Sequence, residues 1–105
     1  IKGLDDKYQH IKPISYSVVK HGIIGMTKYL AAYWGKIGIR VNTLCPSGIY
    51  NGQNEEFIRR FVRNVPMGRM SRPDEYVGTI LYMISDASSF MNGATVVIVG
   101  GKSIW

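Results

Sequence analysis

Tyr16-Ser17-Val18-Val19-Lys20 sets a phenol and an ammonium four residues apart. On an α-helix, residues at that spacing are neighbours on one face, so the two side chains would stand side by side. A free tyrosine keeps its proton up to a pKa of about 10, and an adjacent cation favours the phenolate. Such a pair can exchange a proton near neutrality, which is the work of a general acid/base. The spacing by itself is common, because Y-x-x-x-K arises by chance in many helices. Its meaning has to come from the rest of the chain.

Other residues with chemical potential are more isolated. His10 and His21 have no second ligand at metal spacing, so neither implies a zinc site, and two lone histidines suggest no Ser-His-Asp set. Asp5-Asp6 reads as loop charge and Glu55-Glu56 as charge at a helix start. The single Cys45 cannot form an internal disulfide and, in an apolar run, reads as a small core residue. Thirteen Lys and Arg against seven Asp and Glu give a formal charge of +6. The basic residues are scattered, and their densest cluster, Arg59, Arg60 and Arg63, lies on one side of a short amphipathic segment. That pattern reads as a solvated basic face, and no nucleic-acid partner is expected.

The elements that must position Tyr16 and Lys20 follow from the hydrophobic pattern. Residues 1–14 read as a loop, with Pro13 steering Lys12 away from helix. From Ser15 to about Trp34 the chain is helical, with Val19, Ile23, Met26, Leu30 and Tyr33 or Trp34 in one stripe and further apolar residues elsewhere, which predicts burial on more than one side. Gly22 and Gly25 inside this helix suggest close approach by a neighbour. Gly35 and Gly38 mark a turn, and Ile39 to Cys45 reads as a strand ended by Pro46-Ser47-Gly48. Asn54 is placed to cap a short helix whose Phe57, Ile58, Phe61 and Val62 lie opposite the arginines, either a surface helix or a movable lid. Ser71 announces another helix, with Pro73 and Asp74 in its first turn and Val77, Ile80, Leu81 and Ile84 at core spacing. After the polar Ser85 to Ser89, the run Ala94 to Val99 reads as a strand covered on both faces, closed by Gly100-Gly101. Helix, strand, helix, strand makes a βαβ unit of a parallel sheet, too small to be expected alone.

At 105 residues and 46% hydrophobic content, the chain has the composition of a folded α/β domain. With one cysteine and no unbroken apolar run of transmembrane length, a cytoplasmic setting with no membrane partner is the expectation.

Beside the tyrosine and lysine stand Arg40-Val41-Asn42 leading to Pro46-Ser47-Gly48-Ile49, then Pro66-Met67-Gly68-Arg69, Arg72-Pro73-Asp74-Glu75, Ser85-Asp86-Ala87-Ser88-Ser89 and Gly100-Gly101. In this order, from Ser15 to Gly101, they resemble the carboxyl-terminal half of the classical short-chain dehydrogenase/reductase family. The resemblance implies a Rossmann-like, doubly wound parallel sheet, of which this chain supplies the last part. It implies NAD or NADP as cofactor and a small alcohol or ketone as substrate. Tyr16 would be the proton donor and acceptor, and Lys20 would hold the nicotinamide ribose hydroxyls. Pro46, Ser47, Gly48, Ile49 and Asn51 would form the cofactor turn, with the Ile49 N–H offered to the nicotinamide carboxamide. Ser47 stands where glycine is usual, Asn51 where threonine is usual, and Val99 where aspartate precedes the final glycines. The family's catalytic serine and structural asparagine precede its tyrosine, and Ser15 is no substitute, since it points about 100° around the helix from Tyr16. No G-x-G-x-x-G turn seats a pyrophosphate here. The chain is therefore expected to be incomplete and inactive alone; the alternative is a non-catalytic remnant or interaction module. The family likeness also implies a homodimer or homotetramer built on the first long helix, the helix after Ser71 and the last strand, with the Lys102 to Trp105 tail suited to burial against a neighbour.

Overall fold

In the computed structural model, which describes residues 14–102, a 21-residue helix α1 (Ile14–Trp34) comes first. Ile14 is already helical, one residue earlier than the expected start. Of the readings made on residues 1–13, His10 and Asp5-Asp6 lie outside the described residues, as do Ser103 to Trp105 of the tail. The helix ends in a 3-10 turn (Gly35–Ile37) closed by Gly38, whose φ of 84° lies in the left-handed region that glycine enters without steric cost.

Two short strands, β1 (Thr43–Pro46) and β2 (Thr95–Ile98), pair in parallel with Thr43 opposite Thr95 and Pro46 opposite Ile98. A parallel pair cannot be joined by a tight hairpin. The crossover carries α2 (Glu55–Val62) and α3 (Val77–Ile84), giving the βαβ unit read from the pattern. The sequence pattern starts the first strand at Ile39, but β1 begins at Thr43. The Ile39 N–H turns back to the Trp34 carbonyl at 3.3 Å. Val41, whose carbonyl accepts the Gly93 N–H at 2.8 Å, and Asn42 are joined to the far segment partly through side chains. Asn92 Oδ1 accepts the Val41 N–H at 3.0 Å, and Asn42 Oδ1 accepts the Ala94 N–H at 2.9 Å. Arg40 reinforces this junction by donating to the carbonyls of Met91 at 2.9 Å and Met83 at 3.0 Å.

The direction of α1 relative to β1 follows from three contacts. Asn92 Nδ2 donates to the Ala31 carbonyl while its Oδ1 takes the Val41 N–H, so Ala31 lies near residue 41. Four residues earlier on the helix and two later along the chain, Thr27 and Thr43 join hydroxyls at 2.5 Å. Descending numbers on α1 therefore match ascending numbers toward β1, and the two elements run antiparallel. The amino-terminal end of α1 lies toward the carboxyl end of β1.

The helix face turned to the strand is only in part the stripe the sequence favoured. Of that stripe Leu30 and Trp34 are half-buried while Val19, Ile23, Met26 and Tyr33 are exposed, and the buried residues are Thr27 and Ala31, with Ile24 half-buried on their side. Apolar residues lie almost all round this helix, so periodicity offered more than one stripe, and the strand selected the one with small residues. No described atom comes within 4 Å of a Cβ built at Gly22 or Gly25, so the expected close approach is absent among the described residues.

The helix after Ser71 also differs in detail. Its first turn is a 3-10 segment (Pro73–Tyr76) preceding α3, and Ser71 does not cap it; instead Glu75 Oε1 accepts the Arg72 N–H at 2.9 Å. The residues expected at core spacing, Val77, Ile80, Leu81 and Ile84, are exposed among the described residues, and the half-buried positions are Thr79 and Met83. The second strand is shorter than the run Ala94 to Val99 and carries Val97 exposed, so it is not covered on both faces by the described residues.

Candidate functional site

Tyr16 and Lys20 lie in the first two turns of α1, where helical periodicity brings the ammonium over the phenol ring, 5.3 Å from its centroid. A cation over a ring face is an attractive arrangement in its own right. Tyr16 is 41% exposed, so the pair is open to a ligand from the described side. His21 turns inward on its own helix, its Nδ1 2.8 Å from the Ser17 carbonyl oxygen, and no group of metal-ligating side chains occurs among the described residues.

Antiparallel packing puts this pair at the same end as the segment following β1. Tyr16 precedes Thr27 by eleven residues, about 16 Å along the helix, while Pro46 lies about 10 Å beyond Thr43 along the strand. Carboxyl ends of parallel strands are where α/β sheets bind ligands.

That following segment is held by a dense set of bonds. Pro46 closes β1 without a donor, Ser47 N–H bonds the Ile98 carbonyl at 3.0 Å, and Gly48 to Tyr50 runs beside Ser71 as a parallel bridge. The Gly48 carbonyl accepts both the Ser71 N–H at 3.1 Å and the Ser71 hydroxyl at 2.9 Å, and Tyr50 N–H donates to the Ser71 carbonyl at 2.8 Å. Gln53 spans the far side, its Nε2 donating to the Ile49 carbonyl at 3.1 Å and its Oε1 accepting the Asn51 N–H at 2.7 Å. Among the described residues no acceptor takes the Ile49 N–H. The structure thus gathers Pro46, Ser47, Gly48, Ile49 and Asn51 into one turn, with Asn51 exposed at its edge.

Sequence reasoning missed three contributors: Ser71, Tyr76 and Gln53. Tyr76 is buried and donates its hydroxyl to Ser71 Oγ at 2.6 Å. Beneath them, Arg69 grips Glu75 with two bonds of 2.6 and 3.0 Å. These bonds, helped by the Arg72 N–H, hold the Glu75 carboxyl at about 2, well below its ordinary value, and raise the Arg69 guanidinium. A buried aromatic five residues after a serine gives no signal in the pattern, because their bond depends on the chain bending at Pro73.

The amphipathic helix α2 starts as expected, Asn54 Oδ1 accepting the Phe57 N–H at 2.8 Å. Its Phe61 ring lies so close to Gly48 that a Cβ there would stand 2.5 Å from Cζ. On the ring's other contact, Lys102 Nζ sits 4.5 Å from the centroid. The helix therefore covers the turn.

These groups fit half of a nicotinamide cofactor. An exposed ammonium beside a phenol suits a pair of ribose hydroxyls, and a backbone N–H without an acceptor suits a carboxamide oxygen. Among the described residues the pyrophosphate has no counterpart, and the sequence contains no G-x-G-x-x-G run.

Comparison with known proteins gives a consistent set. A family model described as enoyl-(acyl carrier protein) reductase matches residues 7–103. The NADH-dependent L-xylulose reductase of Ambrosiozyma monospora is 41% identical over 101 residues, covering 88% of this chain and 37% of that protein. The D-threitol dehydrogenase of Mycolicibacterium smegmatis is 34% identical, covering 87% of this chain and 37% of that protein. A short chain dehydrogenase from Leptospira borgpetersenii, solved with bound NAD+, superposes with a TM-score of 0.83 at 38% identity, over 96% of this chain and 39% of that one. The chain spans less than two-fifths of the length of each of these three relatives.

Proposed function

The chain belongs to the short-chain dehydrogenase/reductase family, and from that membership we propose that it supplies the catalytic part of an NAD(P)-dependent oxidoreductase interconverting a secondary alcohol and a ketone. The observation that carries the reading is the placement of Tyr16 with Lys20 at the same end of the fold as the turn that leaves the Ile49 N–H without a described acceptor. When bound, the nicotinamide supplies or takes the hydride. Tyr16 gives its hydroxyl proton to the forming alkoxide or takes it from the alcohol. Lys20 binds the ribose hydroxyls and favours the phenolate by its charge. The Ile49 N–H orients the carboxamide. Polyols and sugars are the proposed substrate class, because the L-xylulose reductase and the D-threitol dehydrogenase bear such names. NAD is the first cofactor to try, on the evidence of the NADH-dependent relative and the NAD+ complex, with NADP the other.

The proposal extends to assembly. Exposed Ile23, Met26, Tyr29 and Tyr33 on α1, with Ile80, Leu81 and Ile84 on α3, offer apolar surface for further copies in a homodimer or homotetramer. No described helix is long and apolar enough to cross a membrane.

The test joins this chain to the amino-terminal half of the A. monospora reductase and follows NADH oxidation with L-xylulose. Replacing Tyr16 with Phe lowers turnover at least about 10²-fold, the contribution of a positioned general acid, while NADH still binds. Undiminished turnover sinks the assignment.

A further inference from the structure

We infer that Tyr76, acting through Ser71, is a positioning residue that aims the Ile49 N–H at the bound cofactor. The inference rests on the cofactor reading above and concerns residues outside the family motif. The starting point is that the Gly48 carbonyl and the Ile49 N–H belong to one peptide unit. No described peptide is cis, so the two groups point in opposite directions from a rigid plane. Whatever fixes the carbonyl aims the N–H.

Ser71 fixes it twice. Its N–H and its hydroxyl reach the same Gly48 oxygen at 3.1 and 2.9 Å, filling both acceptor positions of a carbonyl. A serine hydroxyl can rotate, and alone it could donate elsewhere. Tyr76 removes that freedom. Its phenol, on a residue 4% exposed, donates to Ser71 Oγ at 2.6 Å and leaves the serine proton directed to Gly48. The sequence of donors is Tyr76 to Ser71 to Gly48, and bonds in such a chain strengthen one another. Tyr76 is itself anchored, because it closes the 3-10 turn whose Glu75 is clamped by Arg69 and by the Arg72 N–H. With the carbonyl held toward Ser71, the Ile49 N–H faces away from it, to the side on which no described acceptor stands.

The consequence is a requirement on cofactor binding rather than on the chemical step. In the intact protein that carries this chain, Tyr76→Phe deletes the terminal hydroxyl and keeps the ring. The KM for NADH rises roughly two- to tenfold, the worth of one neutral hydrogen bond, with kcat within about twofold. Ser71→Ala gives a comparable rise, and the double variant is no worse than Ser71→Ala, since the tyrosine acts only through the serine. Ser71→Thr, which retains a hydroxyl, restores most of the affinity. A merely structural role would instead lower kcat through a smaller active fraction and leave KM unmoved. An active wild type whose NADH KM is unchanged in both Tyr76→Phe and Ser71→Ala overturns this assignment and leaves the oxidoreductase reading standing. A wild type that neither binds nor oxidises NADH overturns both.

Discussion

Gly48→Ala is the substitution whose effect follows most directly from the geometry. A Cβ at residue 48 would lie 2.5 Å from Phe61 Cζ, 2.8 Å from Cε2 and 3.0 Å from Cε1. Carbon atoms rest at about 3.5–4.0 Å, so the ring has to retreat by about 1 Å or more. The backbone is no obstacle, because Gly48 is not among the glycines with positive φ. The whole cost therefore falls on the contact between the turn and α2, and overpacking of this kind costs about 1–3 kcal/mol. Phe61 is half-buried and also lies beneath the Lys102 ammonium, so the ring cannot move without loosening a second contact. Phe61→Ala alone removes the ring and its packing, whereas Gly48→Ala in that background no longer meets its three nearest clashing atoms, all of them on the Phe61 ring. Urea denaturation of the four proteins of this cycle is the assay. The double variant is expected to be more stable than the sum of the two single losses by about 1–3 kcal/mol, and the NADH KM of Gly48→Ala is expected to rise with the displaced turn. Losses that add to within about 0.5 kcal/mol would refute the claim that Phe61 is what glycine makes room for.

Two further expectations concern the supports of the site. Arg40→Met removes guanidinium bonds to the Met91 and Met83 carbonyls, and should cost about 2–4 kcal/mol in urea unfolding, as expected for two charge-assisted bonds at a half-buried junction. A midpoint unchanged from wild type would show that the junction does not depend on Arg40. Glu75 titrates at about 2 in the folded chain against an ordinary 4.5, so the folded state binds its proton less readily than the unfolded one. Its contribution is therefore fully present above about pH 4.5 and fades as the pH falls toward 2. Urea midpoints of wild type and Glu75→Gln should differ at pH 7 and converge on acidification through that window. A gap that persists at pH 2 would mean the carboxylate charge is not what matters.

The sequence by itself determined the class of the fold and which residues stand together at the candidate site. Helix periodicity alone puts Tyr16 and Lys20 on one face, so their pairing was readable without coordinates and the ammonium indeed lies over the ring. Asn54 as a cap and the β-branched run that became β2 were equally local, because each depends on residues a few positions apart. What required the tertiary structure was everything decided by a second element. Almost any side of α1 could have been its core face; Thr43 and Asn92 chose the one bearing Thr27 and Ala31. Ser71 carries the composition of a helix cap, yet its hydroxyl is drawn to a carbonyl 23 residues away. Tyr76 reads as one more apolar residue at the start of a helix until Pro73 turns the chain and sets its phenol against that serine. Local pattern fixes which residues can react, because periodicity is a property of the backbone. Which groups hold the reacting ones in place depends on long-range contacts, where one hydroxyl can satisfy many partners and only packing selects among them.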